Sequence, residues 1–242
     1  MNANQYQTPG PVAGTPALPA RDARGLRPIG GLGAAAVLLI GTACAMLSVA
    51  VVLRWVGYAA VKSRVDGAIG RDAYAAERNT LGPLEVGLWP AAFVVMLVAW
   101  IVLTVWLVRA RANIDTGNPA PQTFSAKWAV WSWLVPPVLL VFPALFVNDV
   151  ERASVPRRRG ASAAVAIWWS AWLLAWASFW TSTIALRPHR GRTIRTMDSA
   201  DLDALFQYSA GRSVSVILFC AAAVALSVTV IRVGRAQNAW AA

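Results

Sequence analysis

Charge is scarce in this chain, and where it occurs it avoids the long apolar runs. Only 14% of the 242 residues are Asp, Glu, Lys or Arg, against 57% apolar, a balance that soluble domains do not keep. Histidine occurs once, as His189 in the basic segment Arg187, Pro188, His189, Arg190. No second His, Cys or carboxylate stands at ligand spacing beside it, so the sequence offers no metal site. Walker and dinucleotide glycine loops, a G-x-S-x-G elbow and an H-E-x-x-H helix are all missing. No catalytic, cofactor-binding or metal-ligating residue is therefore assigned, and no cofactor is expected. Cysteine is limited to Cys44 and Cys220, each inside an apolar run, where it reads as a small packing residue. Gly41, Thr42 and Ala43 before Cys44 resemble a lipoprotein cleavage box, but the apolar run continues to Leu53 and the preceding segment is too long for a signal peptide.

What is abundant is uninterrupted apolar sequence. Five stretches carry no charge at all: Leu32 to Leu53, Val86 to Val108, Trp128 to Val147, Ala161 to Leu186 and Ser213 to Ile231. A hydrocarbon core of about 30 Å needs roughly 20 helical residues, and every stretch is close to that length. Backbone groups in lipid must be satisfied within the segment, and no alternation of polar and apolar residues suggests a barrel, so the stretches predict helices. The fold expected is an all-α integral membrane bundle. Residues 1–28, rich in Asn, Gln, Pro and Gly, read as a disordered tail, and residues 29–242 as the helical transmembrane domain.

The third stretch breaks the pattern. Pro136, Pro137 and Pro143 remove amide donors from its middle and push Val135, Pro136 and Phe142 away from helical dihedrals. Trp128 to Val135 gives about 12 Å of helix, less than half the core. Four transmembrane helices with a re-entrant or interfacial third segment are therefore expected, five spans being the alternative. Beyond Pro143 an interfacial helix is expected, with Asp149 and Arg152 toward water and Leu145, Phe146 and Val150 toward lipid. Pro90 falls in the first turn of the second stretch, where a missing N–H is harmless.

The connections Arg54 to Glu85 and Arg187 to Arg212 hold seven of the eleven acidic residues and carry net +1 and +2, against +8 for the rest of the chain. By the positive-inside rule the two connections lie outside and both termini are cytoplasmic. Short helical patterns in each (Asp72, Ala73, Ala75, Ala76; Asp201, Leu202, Ala204, Leu205) suggest a weak twofold repeat of hairpins around the Pro-broken segment. The net charge of +11 sits in short clusters between apolar runs. That placement fits anionic headgroups rather than a phosphate groove, so no nucleic-acid partner is expected. Small residues four apart, Gly41 with Ala45 and Ala223 with Ser227, predict close helix approach.

Tryptophan is the conspicuous residue, thirteen in all. Trp168, Trp172, Trp176 and Trp180 recur every four residues and fan across roughly a third of a helix. The stripe reads as lipid contact and packing, with Trp168 and Trp169 as interfacial anchors, or as an aromatic groove for a lipid or cationic ligand. The most specific text is the third segment: Phe124, Trp128, Ala129, Val130, Trp133, Val135, Pro136, Pro143, then Asp149, Arg152, Ala153 and Ser154. It follows Arg109, Ala110, Arg111, Ala112, Asn113 and precedes Trp168, Trp169, Ala171, Trp172, Leu173. From Arg27 to Asn238 the chain resembles the bacterial membrane family known as domain of unknown function 4328. Where that family's pattern carries a polar Asn and an Arg before its second Pro, this chain has Leu139 and Phe142. The resemblance implies a multi-pass protein of the bacterial cell membrane, without an assigned activity.

These readings favour a non-enzymatic membrane protein that binds lipids or partners, including copies of itself, through Trp128, Trp133, Pro136, Pro143, Asp149 and Arg152. Two rivals remain open. Paired hairpins around an irregular segment suit a small-solute transporter or channel, and Asp149, Glu151 and Arg152 near a headgroup would be the residues of a lipid-modifying enzyme.

Overall fold

The computed structural model describes residues 25–117, 122–134, 140–155, 160, 162–186 and 197–240. The expected tail, apart from its last four residues, lies outside these, as do Pro136, Pro137 and His189. The described residues form six α-helices: α1 Gly30–Val65, α2 Arg71–Gly117, α3 Trp128–Leu134, α4 Phe142–Ser154, α5 Ala163–Leu186 and α6 Ser199–Asn238. Four of them, α1, α2, α5 and α6, are long and apolar enough to cross a membrane. α1 pairs with α2 and α5 with α6, and the α1–α6 contact joins the two hairpins.

The helices outrun the apolar stretches. α1, α2 and α6 have 36, 47 and 40 residues, and about 20 suffice to span. Most of the excess lies at one end. α1 continues through Arg54 to Val65, α2 starts at Arg71 and α6 at Ser199, so the connection read as a loop between Arg54 and Glu85 is mostly helix. Its turn is closed by Gly67 at φ 76°. Ala68 N–H donates to Ser63 O and Gly67 N–H to Arg64 O, the Schellman pattern that a left-handed residue permits. At the start of α6 Asp198 and Asp201 cap each other reciprocally. Pro90 is thus not in a first turn. It and Pro83 lie inside α2, where the carbonyls of Val86 and Asn79 lose their intrahelical donors.

Burial follows small residues rather than hydrophobicity, because lipid-facing and core-facing positions are both apolar. Ala36, Ala43 and Ala50 of α1 are buried, as are Ala92, Ala99, Trp106 and Asn113 of α2. Both series recur every seven residues, the period of a left-handed helix seam. The predicted pair Gly41 and Ala45 lies instead on the exposed side of α1, displaced from the seam that Ala43 occupies. A β-carbon on Gly211 would stand 2.6 Å from that of Ser182. This glycine lets α6 approach α5 closely enough for Ser178 Oγ to donate to Gly211 O at 2.8 Å. Cys44 lies beside Cys220 across the α1–α6 contact, both as free thiols.

Candidate functional site

α3 descends among the spans and the chain comes back. At its deep end the Trp133 ring lies 4.4 Å from that of Trp100 on α2 and 6.3 Å from that of Trp169 on α5. After the turn, Leu140 O accepts a hydrogen bond from Trp169 Nε1 at 2.7 Å. Phe142 then packs on Trp128 and Phe124, at 4.6 and 5.3 Å between ring centroids. The start of α3 and the start of α4 are therefore side by side, and the third segment does not cross. Trp168 and Trp169, expected at the headgroups, are buried at 3% and 7% exposure because Trp133 of α3, Leu140 and α4 lie against this end of α5.

The stripe divides by depth. Trp172 meets Trp100 at 5.4 Å and Phe219 at 5.2 Å, and Trp176 stacks on Phe93 at 5.8 Å. Trp180 points outward and is half exposed. The four rings are thus not one surface. The space between Trp100, Trp168, Trp172 and Phe219 is about 30 Å³, room on the order of a water molecule.

α4 does not lie with its apolar face to lipid. Phe146, Val147 and Val150 are buried against α2, α5 and α6, while Leu145 and Arg152 are exposed. Asp149 faces inward, not toward water, and accepts from the backbone N–H groups of Thr123 at 3.0 Å and Phe124 at 3.4 Å. It fixes the loop leading into α3. Glu151 is fully buried, 3.8 Å from the Arg232 guanidinium. Pro143 is buried in the first turn of α4, where its missing donor costs nothing.

Two neutral amides tie this end together. Asn113 Oδ1 accepts from Arg27 N–H at 2.7 Å, and its Nδ2 donates to Arg27 O at 2.9 Å and to Gln237 Oε1 at 3.0 Å. Gln237 Nε2 in turn donates to Ala110 O and to Ser154 Oγ, both at 2.9 Å. One connected network thus joins the segment before α1, the ends of α2 and α6, and α4. A buried network of this kind holds a unique arrangement when its members are satisfied.

At the opposite boundary lies a buried charge at the edge of what reads in the sequence as a connection. Arg212, 7% exposed, sits with its guanidinium 3.5 Å from the Phe179 ring centroid, 4.8 Å from Trp89 and 4.9 Å from Tyr208. Its Nη2 donates to Thr183 Oγ1 at 2.9 Å. Beside it Arg54 pairs with Glu85 at 3.0 Å and covers the other face of the cluster through Tyr208. Asn113, Gln237 and Arg212 carry the polar architecture. Only the position of Arg212 at the very edge of an apolar run marked it.

The arrangement is that of a polytopic helical membrane protein with a re-entrant segment at one end. The chain belongs to the family described as Domain of unknown function (DUF4328), which it matches over residues 72–236. The match runs from the start of α2 nearly to the end of α6 and leaves α1 outside, a shorter span than Arg27 to Asn238. No curated protein and no solved structure matches the chain.

Proposed function

We propose that the protein is a non-enzymatic component of the cell membrane that works by binding lipids or a membrane partner at the end where α2 and α6 finish. The observation that carries this reading is the use made of the polar groups there. Asp149, the foremost candidate for chemistry, holds the loop before α3, and Glu151 is enclosed beside Arg232. What this end presents outward is Arg27, Arg152, Arg232 and Arg235, all exposed. Basic side chains at a membrane boundary attract anionic headgroups and, by the positive-inside rule, put this end in the cytoplasm. Crosslinking in native membranes followed by purification of the full chain tests the reading: retention of a fixed lipid or protein partner is expected. Turnover of a lipid-linked substrate by the partner-free protein would overturn it.

Transport is the second reading, favoured by the two hairpins around a broken segment. Against it, the middle of the bundle is filled by Leu47, Ala43, Ala99, Trp172 and Phe219, with no charged side chain among them. Saturable flux into liposomes that is abolished by Trp133→Ala or Trp176→Ala would make transport the better account.

A further inference from the structure

A groove opens between the start of α1 and the end of α6, on the same end as the basic residues. It holds about 450 Å³, within the range of small-molecule sites. Val37, Leu38 and Ile231 line it, Gly33 and Trp106 lie along it, and Arg235 and Asn238 stand among its lining residues at the ends of their helix turns. Leu38 and Ile231 are exposed, at 71% and 44%, so none of the described residues covers the apolar wall.

Trp106 supplies the second observation. The side chain is 1% exposed, and its Nε1 is buried with no hydrogen-bond partner among the described residues. A buried N–H without an acceptor is destabilising, so an acceptor supplied by a ligand would be favoured there. Gly33 packs directly over it with no side chain between the donor and the groove: a β-carbon there would stand 3.1 Å from Trp106 Nε1 and 3.1 Å from Val230 Cγ1. The groove therefore has an apolar wall, a donor lacking an acceptor beside it, and an exposed guanidinium from Arg235. Those three features match an acyl chain, an ester carbonyl and a phosphate in that order.

We propose that the α1–α6 groove binds one anionic phospholipid from the leaflet at the basic end. Its acyl chain lies along Val37, Leu38 and Ile231, an ester carbonyl accepts from Trp106 Nε1, and the phosphate meets Arg235 with Asn238. A zwitterionic lipid would fill the apolar wall equally well, so selectivity falls to Arg235, with Arg232 on the adjoining face of α6 beside Glu151. This site rests on the binding reading above and gives it a ligand class.

The test uses the full chain in detergent and native mass spectrometry, with phosphatidylglycerol and phosphatidylcholine of identical acyl chains. The expected result is one phosphatidylglycerol per monomer, favoured about tenfold, as one or two basic residues near an anionic headgroup provide. Gly234→Trp places an indole at a groove-lining position where a β-carbon meets nothing within 4 Å, and should abolish the adduct. Arg235→Gln should reduce the preference to about twofold and leave phosphatidylcholine retention unchanged. Soluble glycerol phosphate should not compete. Equal adducts in the parent chain and in Gly234→Trp overturn the site, as does competition by glycerol phosphate, which would make it a free-phosphate site. A lipid-free dimer abolished by Gly234→Trp would also overturn it, a second copy being the occupant. If a protein partner is captured but phosphatidylglycerol is not retained, the groove assignment falls and the binding reading stands. If phosphatidylglycerol is retained and consumed, the groove stands and the non-enzymatic reading falls.

Discussion

Where α2 and α6 finish, a buried pair of neutral amides ties several elements together beside the buried Asp149 and Glu151; where α1 and α2 join, the charges turn inward onto aromatic rings. Asn113 and Gln237 belong to the first end, Arg212 and the Arg54–Glu85 pair to the second. The difference has a physical reason. The first end must anchor a segment that enters the membrane and returns, which needs directional hydrogen bonds to backbone groups of several elements. The second has only to hold helices that continue into water, where a cation over aromatic faces tolerates small displacements.

Substitutions can separate the two ends. The largest effect is expected from Asn113→Leu, which strips acceptors and donors from Arg27 and Gln237 at once; at about 1–3 kcal/mol for each buried group left unsatisfied, a loss of roughly 2–4 kcal/mol follows. Denaturant titration of the detergent-solubilised protein would read it. Gln237→Leu added to Asn113→Leu should cost much less than the sum of the two, because they act in one network. A loss below about 1 kcal/mol would mean the amides do not anchor this end.

At the other end Arg212→Ala should cost about 2 kcal/mol, the upper range for a desolvated cation on aromatic faces. Arg212→Lys should recover less than half of that, since an ammonium lacks the planar face that stacks on Phe179. Full rescue by lysine would show that charge alone matters there. Arg54→Ala, whose pair with Glu85 is partly exposed, should cost under about 1 kcal/mol, measured by a double-substitution cycle with Glu85→Ala. The smallest effect belongs to Lys62→Ala. Lys62 and Asp66 are about half exposed, and although their hydrogen bond raises the lysine pKa, no change in stability is expected within error.

The four spans and the returning segment were legible in the sequence, the first from run length and the second from Pro136, Pro137 and Pro143. Helix length beyond the membrane was not, because charges between Arg54 and Glu85 read as a loop although helices tolerate them. Gly67 was the sign of a short turn, and Asp198 with Asp201 the sign of a capped start. The inward faces escaped as well. In lipid an amphipathic pattern vanishes, so Phe146, Val150 and Trp168 were assigned outward on hydrophobicity while packing turned them in. For α1 the seven-residue recurrence of Ala36, Ala43 and Ala50 carried that information. Asn113 and Gln237 are 124 residues apart, and no local pattern joins them. Asp149 looked solvated because an isolated carboxylate gives no hint that the Thr123 and Phe124 amides will meet it.

The return of the third segment decides between four spans and five. Single cysteines at Lys127 and Arg152, both exposed and on either side of the turn, can be labelled with an impermeant thiol reagent after Cys44 and Cys220 are replaced. Asp72 and Asp203, also exposed, serve as references for the opposite end; Asp201 is buried in its cap and would not report. On intact cells Asp72→Cys and Asp203→Cys should react, while Lys127→Cys and Arg152→Cys should both react only after lysis. Labels at Lys127 and Arg152 that report opposite sides would contradict the re-entrant segment and require five spans.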